Sequence, residues 1–301
     1  MKVILGSRGS RLALTQTKLV IKELKKHFPN IDFQIKVIKT KGDKILNVSL
    51  DKIGDKGLFV KEIENSLLKG EIDIAIHSMK DMPSEVTKEL KFSYVPKRED
   101  NRDVLILRDG LKTIDDIKKG GKIGTGSKRR KYQLIKYRPD IEVVPIRGNV
   151  ETRINKIYKE NLEGVILAAA GVKRLGLEEK ISSYLSTDIM LPAPAQGALA
   201  IQIREDRTDL DEMLSYIKDK ETTIQTKAER TFLKAVDGSC HIPIGANCII
   251  KKDKLILDGL FGKEDGSNIV RKKVTGKIGQ EEKLGLKLAD LVLKEMEKNE
   301  G

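Results

Sequence analysis

The stretch MKVILGSRGSRLALTQTKLVIKELKKHFPNIDFQIKVI, residues 1–38, indicates the class of fold. Residues 1–5 form a short apolar run typical of a strand, residues 10–27 carry apolar side chains at helical spacing, and residues 33–38 have the composition of a second strand. This order of elements predicts a βαβ unit. The sequence therefore predicts an α/β protein whose sheet is largely parallel.

The alternation of strands and helices continues after this opening. The apolar pattern lapses at residues 97–102 (KREDNR) and then resumes as a second series, with a strand at 122–124 and a helix at 128–137, which predicts a change of domain there. Residues 191–197 (LPAPAQG) contain two prolines and a glycine, a composition typical of a crossover. A third series begins with a helix at 222–236 and closes with a long amphipathic helix at 281–298.

Residues 72–85, IDIAIHSMKDMPSE, join an apolar strand directly to a short polar turn. Open α/β sheets bind ligands at the carboxyl ends of their strands, so Lys80 and Asp81 are candidate site residues. The alternative interpretation is a solvated turn that ends at Pro83.

Three turns rich in Gly and Ser precede predicted helices, at residues 6–11, 124–130 and 147–150. The unpaired N–H groups of a helix N-terminus favour anions, and Arg binds a carboxylate through two hydrogen bonds. Lys is the commoner base of this chain, yet Arg predominates near these turns, which favours carboxylate binding over surface salt bridges. The arginines concerned are Arg8, Arg11, Arg129, Arg130, Arg147 and Arg153. Ser10 and Ser127 also fit the simpler role of N-caps.

Composition restricts the class of protein further. The chain has 301 residues, 39% hydrophobic content and a net charge of +13, with no apolar run long enough to span a membrane and no signal-peptide pattern. We expect a cytoplasmic protein with an anionic partner. Aromatic residues make up only 4%, which argues against a stacking platform for single-stranded nucleic acid.

The chain has two cysteines, and their spacing is not that of a metal site, which argues against structural zinc. Cys248 fits a core position, and Cys240 fits either a reactive loop thiol or a small hydrophobe.

Ten segments, in this order along the chain, resemble the porphobilinogen deaminase (hydroxymethylbilane synthase) family. They are GSRGSRLALTQT, KGD with GDKGLFVKEIE, DIAIHSMKDMPSE, KREDNRDVLI, GTGSKRR, PIRGNVETR, AAAGVKRLGL, PAPAQGALAI, AERTFLKAV and GSCHIPIGA. The resemblance implies an enzyme that joins four porphobilinogen molecules head to tail with loss of ammonia. It also implies a dipyrromethane cofactor in thioether linkage to Cys240, from which hydroxymethylbilane is released by hydrolysis.

The resemblance assigns roles to individual residues. Asp81 matches the catalytic carboxylate, which would stabilise the cation left when ammonia departs. The positions that match cofactor-binding residues are Cys240, Lys80, Ser127, Arg129, Arg130, Arg147 and Gly148. The positions assigned to substrate binding are Arg8, Ser10, Arg11, Lys56, Arg153, Arg174 and Gln196. No residue is assigned to a metal. Residues 44–56 match a loop over the active site and are predicted to act as a lid, with a plain surface loop as the alternative.

The resemblance implies three domains. The first comprises residues 1–98 and 195–216, and the second residues 99–194; both are α/β and resemble the lobes of type II solute-binding proteins. The third comprises residues 217–301 and is a small α+β domain that carries the cysteine loop. The implied partner is porphobilinogen, without nucleic acid or membrane. A monomer is expected, with hand-off of its product to uroporphyrinogen-III synthase.

Two rival functions share parts of this evidence. A two-lobed solute-binding protein could hold a small polycarboxylate with the same arginines, because a fold does not determine a function. A nucleic-acid binder is favoured only by the net charge.

Overall fold

The computed structural model describes residues 1–44, 60–236 and 242–300. The strands are β1 (Lys2–Ser7), β2 (Asp32–Val37), β3 (Ile74–Ser78), β4 (Leu90–Phe92), β5 (Asp103–Leu107), β6 (Lys122–Gly124), β7 (Glu142–Val144), β8 (Gly164–Ala168), β9 (Ser183–Tyr184), β10 (Leu199–Arg204), β11 (Ile244–Lys251), β12 (Lys254–Gly262) and β13 (Ile269–Lys277). The helices are α1 (Arg11–His27), α2 (Lys41–Lys44), α3 (Lys61–Leu68), α4 (Lys128–Tyr137), α5 (Val150–Lys159), α6 (Ala169–Arg174), α7 (Thr208–Ser215), α8 (Lys220–Ala235) and α9 (Glu281–Lys298). Single 3-10 turns lie at Met79–Asp81, Ile114–Asp116 and Glu178–Lys180.

The chain divides into two compact units. Unit 1 comprises Met1–Glu99 and Gly197–Thr223, and unit 2 comprises Asp100–Gln196 and Ile224–Gly301. Among the described residues, unit 1 contains one sheet, whereas unit 2 contains two.

The sheet of unit 1 has the strand order β2-β1-β3-β10-β4. Strands β1, β2 and β3 are parallel, while β10 is antiparallel to both of its neighbours. Four of these five strands therefore point the same way. The strands and helix α1 share a core that includes Val3, Leu5, Leu24, Ile74 and Ile201, each 0% exposed.

The first sheet of unit 2 repeats this arrangement with the order β7-β6-β8-β5-β9. Here β6, β7 and β8 are parallel, and β5 is antiparallel to β8 and β9. The second sheet of unit 2 is an antiparallel meander, β11-β12-β13. Helices α8 and α9 cover this meander through a core centred on Phe232, Leu257 and Leu288.

These observations confirm the predicted α/β class. The predicted βαβ unit is observed as β1, α1 and β2, and Ser10 is the N-cap of α1. Helix α4 and strand β6 have the predicted limits. The sequence pattern predicts no strand at Leu199–Arg204, yet β10 lies inside the first sheet. Its first five residues are all buried, so the alternation that marks a half-buried strand is missing.

Candidate active site

Unit 1 brings two of the predicted polar turns to the same edge of its sheet. The turn with Arg8 and Ser10 follows β1, and the turn with Lys80 and Asp81 follows β3. Strands β1 and β3 are hydrogen-bonded parallel neighbours, so their carboxyl ends lie side by side. This edge is where open α/β sheets carry ligand chemistry.

Buried methionines hold the turn of Asp81 in place. Met79 and Met82 are 2% and 4% exposed, whereas Lys80 is half-buried and Asp81 is exposed. The N–H of Met82 donates to the carbonyl of Met79 (3.2 Å), and the N–H of Met79 donates to the carbonyl of Ala198 (3.0 Å). The apolar side chains therefore fix the backbone, and the carboxylate is presented at the surface of unit 1.

Helix α1 is tied to the same edge. The Ser10 hydroxyl caps the helix by accepting from the N–H of Ala13 (3.3 Å). One turn and a half further on, Gln16 Nε2 donates to Ser78 Oγ (2.9 Å), at the last residue of β3. This bond joins the two turns through the helix between them.

His77 lies beneath this edge in a buried polar cluster. It is 7% exposed and shares a face of the sheet with Gln202, whose Nε2 donates to Glu64 Oε1 (2.7 Å). Thr87 Oγ1 donates to the other carboxylate oxygen of Glu64 (2.7 Å). Burial lowers the pKa of His77 from 6.5 to about 4; the charge of Arg8 lowers it further, and the nearby amide of Gln202 opposes the shift. The imidazole is therefore neutral near pH 7.

This shift predicts a loss of stability in mild acid. Between the unfolded pKa of 6.5 and the folded pKa of about 4, the unfolded chain binds a proton that the folded chain does not. Stability is therefore complete above pH 6.5 and falls as the pH falls, by about 2 kcal/mol between pH 7.5 and pH 5. Urea unfolding at these two pH values should show a shallower pH dependence for His77→Gln. The exposed His27→Gln serves as the matched control, and an unchanged dependence in His77→Gln would contradict the assignment.

In unit 2 the arginine-rich turns follow three neighbouring parallel strands. Residues 125–127 follow β6 and lead into α4, and residues 145–149 follow β7 and lead into α5. Helix α6, which ends at Arg174, follows β8 directly. The turns after β6 and β7 approach closely, because a Cβ added at Gly126 would lie 2.8 Å from the carbonyl oxygen of Ile146. Gly126 thus permits a contact between the two turns.

Arg147 lies at the second of these turns. Its guanidinium has a buried Nη1 with no hydrogen-bond partner among the described residues. Gly148 adopts a φ of +119°, and an added Cβ there would lie 2.6 Å from Thr152 Cγ2. Arg153 Nε donates to the carbonyl of Gly148 (2.8 Å). The turn therefore presents a buried N–H that has no acceptor in the described part of the chain, which is a costly arrangement without a ligand.

Arg129 and Arg130 lie in the first turn of α4, after the N-cap Ser127, and both are buried around Asp103. Asp103 Oδ2 accepts from Arg129 Nη1 (2.6 Å), and its Oδ1 accepts from Arg130 Nη2 (2.8 Å) and Nε (3.1 Å). Arg129 Nη1 also donates to the carbonyl of Leu191 (2.6 Å), and Arg130 Nη1 donates to that of Ile166 (3.0 Å). These hydrogen bonds fix the positions of both guanidinium groups.

The charges in this cluster do not balance. Two guanidinium groups are paired with one carboxylate, so the three side chains together carry one surplus positive charge. Burial acts to raise the pKa of Asp103, but the charges and hydrogen bonds of Arg129 and Arg130 outweigh it and hold this pKa well below its ordinary value. The carboxylate is therefore ionised, and the surplus charge favours an anion.

Gln196, a predicted substrate contact, lies wholly inside unit 2. It is 0% exposed, and its Nε2 donates to Asp103 Oδ1 (2.9 Å) and to the carbonyl of Asn101 (2.8 Å). Its role toward substrate stays a prediction. The preceding Ala195 has a φ of +59° and donates its N–H to the buried Glu229 Oε2 (2.6 Å).

Some predicted site residues lie outside the described part of the chain. They are Lys56, Cys240 and residues 45–56 of the predicted lid. Within the described ranges, no group of three or more His, Cys, Asp or Glu side chains could hold a metal ion. Across the same ranges, every helix is too short or too polar to cross a bilayer.

Comparison with known families gives two matches. Residues 3–212 match the model for "Porphobilinogen deaminase, dipyromethane cofactor binding domain", and residues 223–294 match that for "Porphobilinogen deaminase, C-terminal domain". The chain belongs to the porphobilinogen deaminase family. The resemblance drawn from the ten sequence segments is thereby confirmed.

Curated porphobilinogen deaminases match this chain over its length. The protein of Clostridium novyi (strain NT) is 62% identical over 299 residues, which cover 98% of this chain and 100% of the relative. That of Clostridioides difficile (strain 630) is 60% identical over 301 residues, with complete coverage of both chains. Among solved structures, a probable amino-acid ABC transporter extracellular-binding protein of Bacillus subtilis matches with a TM-score of 0.42 and 16% identity, covering 71% of this chain and 89% of that one. A likeness at that level carries no argument about function.

The described residues fit the dipyrromethane cofactor that defines the family's main domain. Each pyrrole of such a group carries carboxylates, and Arg147 offers a buried N–H to which residues 1–44, 60–236 and 242–300 supply no acceptor. The neighbouring cluster of Arg129, Arg130 and Asp103 carries a surplus positive charge. Both features suit a polycarboxylate better than a neutral ligand.

Sequence reasoning missed the buried partners of the predicted site. Asp103 accepts hydrogen bonds from three predicted site residues, yet it is not itself among the residues predicted from the sequence. A signal was available, because a single Asp opens the apolar strand DVLIL while two adjacent arginines begin a helix. Arginines buried at such a position require a carboxylate.

Proposed function

We propose that this chain is a porphobilinogen deaminase that condenses four porphobilinogen molecules and releases hydroxymethylbilane. Each condensation breaks the bond between the methylene carbon and the amine, which leaves as ammonia. It forms a carbon–carbon bond to a pyrrole carbon, which loses its proton. Water then releases the linear tetrapyrrole. The observation that carries this proposal is membership of the family over nearly the whole chain.

Asp81 is proposed as the catalytic carboxylate. Departure of ammonia leaves a cation delocalised over the pyrrole and its methylene carbon. An exposed carboxylate at the end of β3, on a turn fixed by buried Met79 and Met82, would stabilise that charge as it develops. Because the turn is preorganised, little reorganisation is needed during the reaction.

The arginines of unit 2 are proposed to hold the carboxylates of the cofactor and of the growing chain. Arg147 would supply a direct N–H, and Gly148 and Ser127 would supply turn geometry and a capped helix start. Cys240 is proposed as the thioether attachment point. When bound, the dipyrromethane supplies the pyrrole carbon to which the first substrate is joined.

Arg129, Arg130 and Lys80 complete the proposed cofactor set. Arg8, Ser10, Arg11, Arg153, Arg174, Gln196 and Lys56 form the proposed substrate set, with Lys56 on a lid at residues 44–56. Most of these groups are cationic or hydrogen-bond donors, which suits a substrate that carries an acetate and a propionate on each ring. Shortening the lid segment should slow turnover, since a lid excludes water from the reacting groups.

The direct test is incubation of the purified chain with porphobilinogen. We expect ammonia release together with hydroxymethylbilane, in a ratio of four ammonia molecules to one product. Binding of porphobilinogen without ammonia release would favour the solute-binding alternative. DNA binding that weakens with salt and is indifferent to porphobilinogen would favour the nucleic-acid alternative.

The domain organisation, location and assembly are further parts of the proposal. We propose three domains, at 1–98 with 195–216, 99–194 and 217–301; the three sheets are compatible with this division. We also propose a cytoplasmic monomer that passes its product to uroporphyrinogen-III synthase. Size-exclusion chromatography with light scattering tests the monomer.

A further inference from the structure

We infer that Asp103 is a positioning residue of the cofactor site: its carboxylate fixes the guanidinium groups of Arg129 and Arg130 and joins them to the crossover at residues 191–197. The inference rests on the proposed function. It adds to that function the means by which two arginines of the proposed cofactor set are held at the start of one helix.

The first support is the number and direction of the hydrogen bonds on one carboxylate. Asp103 is 0% exposed, and four donor atoms reach its two oxygens. Arg129 bonds to Oδ2, while Arg130 and Gln196 share Oδ1. A carboxylate with this many donors leaves little freedom to any of them.

The second support is the connection to the crossover segment. Gln196 binds Asp103 from the end of that segment, and Arg129 binds the carbonyl of Leu191 at its beginning. Gln133, one turn along α4 from Arg129, makes two further bonds to the backbone of Leu191, of 2.8 and 3.1 Å. Both ends of the crossover are therefore tied to Asp103 or to helix α4. A displacement of Asp103 would move the helix start and the crossover together.

The third support is the charge balance. Removal of either arginine leaves a neutral pair, whereas removal of the Asp103 charge leaves two buried cations without their common anion. Removing one charge of a buried ion pair is strongly destabilising, because the opposite charge stays buried without its partner. Asp103 is therefore the member of the cluster on which the placement of the other two depends.

The positioning role is tested with Asp103→Asn and Asp103→Glu, with Leu105→Ala as the control. Asn removes the charge with little change of shape. Glu keeps the charge but moves the carboxylate by one methylene. Leu105 is 0% exposed in the same strand, so its truncation loosens the core without altering charge.

Two measurements are made on the folded fraction of each variant. The first is the rate at which phenylglyoxal, an arginine-selective reagent, modifies Arg129 and Arg130, mapped by peptide mass. The second is the rate at which chain without cofactor gains the mass of two pyrroles from porphobilinogen. Both Asp103 variants should show faster modification and loading slowed at least about tenfold, and Leu105→Ala should show neither.

The inference is overturned if modification of the two arginines stays at the wild-type rate, or if the Asp103 variants load as fast as Leu105→Ala. Should Asp103→Asn fail to fold, Asp103→Glu carries the test because the charge is kept. If the wild-type chain gains no pyrrole mass, the proposed function fails. Phenylglyoxal reactivity then still decides whether Asp103 holds the two arginines.

Discussion

Asp81→Asn should lower the turnover of porphobilinogen at least about 100-fold while the protein stays folded. The substitution keeps the shape of the side chain and removes its charge. The developing cation then loses its anionic partner. The fold should be unaffected because Asp81 is exposed and the turn is held by buried Met79 and Met82. Surface substitutions of this kind change stability by about 0.5 kcal/mol or less.

The matched control is Asp253→Asn. Asp253 is also an exposed turn aspartate, between β11 and β12, and its φ of +59° is a conformation that Asn tolerates. Steady-state ammonia release and urea unfolding should be measured on both variants. Asp253→Asn should retain wild-type turnover. Wild-type turnover in Asp81→Asn would refute the catalytic role.

Arg130→Leu should destabilise unit 2 by about 1–3 kcal/mol and impair cofactor assembly or chain growth. The side chain donates twice to Asp103 and once to the carbonyl of Ile166, all in buried surroundings. Asp103 keeps Arg129 and Gln196 as partners, so the loss is smaller than that of an isolated buried pair. The surplus positive charge of the cluster disappears, and with it part of the attraction for ligand carboxylates. Arg129→Leu should behave in the same way.

Arg138→Leu is the control for these two variants. Arg138 is the C-cap of the same helix, and its guanidinium binds Asp140 and the carbonyls of Ile114 and Ile117. Its loss should also lower the free energy of unfolding. Denatured intact masses after exposure to porphobilinogen report the distribution of covalent intermediates. With Arg129→Leu and Arg130→Leu we expect the covalent pyrrole intermediates to be absent or to stop early. With Arg138→Leu we expect the same series of intermediates as in the wild type. Equal series in all three would contradict a role in binding the growing chain.

The fold was predictable where the hydrophobic periodicity and the signals for turns and helix caps are strong. Helix α4 and strand β6 were predicted to the residue, because a Ser N-cap and a Gly-containing turn mark the boundary between them. Strand β10 was not predicted. Its residues are buried on both faces and it enters the first sheet antiparallel, so local sequence carries neither an alternating pattern nor a pairing partner.

Site residues were predictable where they lie at the end of a strand or at the start of a helix. Asp81 and the arginine-rich turns follow from such positions, because the chemistry of a helix N-terminus is local. Asp103 and His77 were not predicted as parts of the site. Their importance arises from partners distant in sequence, such as Arg129 for Asp103 and Gln202 for His77. Only tertiary packing brings these residues together.

The measurement that tests the central claim most directly is the denatured intact mass of the wild-type chain beside Cys240→Ser. A thioether survives denaturation, whereas a bound ligand does not. The wild type should carry the added mass of two linked pyrroles, either as purified or after incubation with porphobilinogen, and Cys240→Ser should not. A wild-type chain that gains no mass even with porphobilinogen would contradict the assignment as a porphobilinogen deaminase with its cofactor on Cys240.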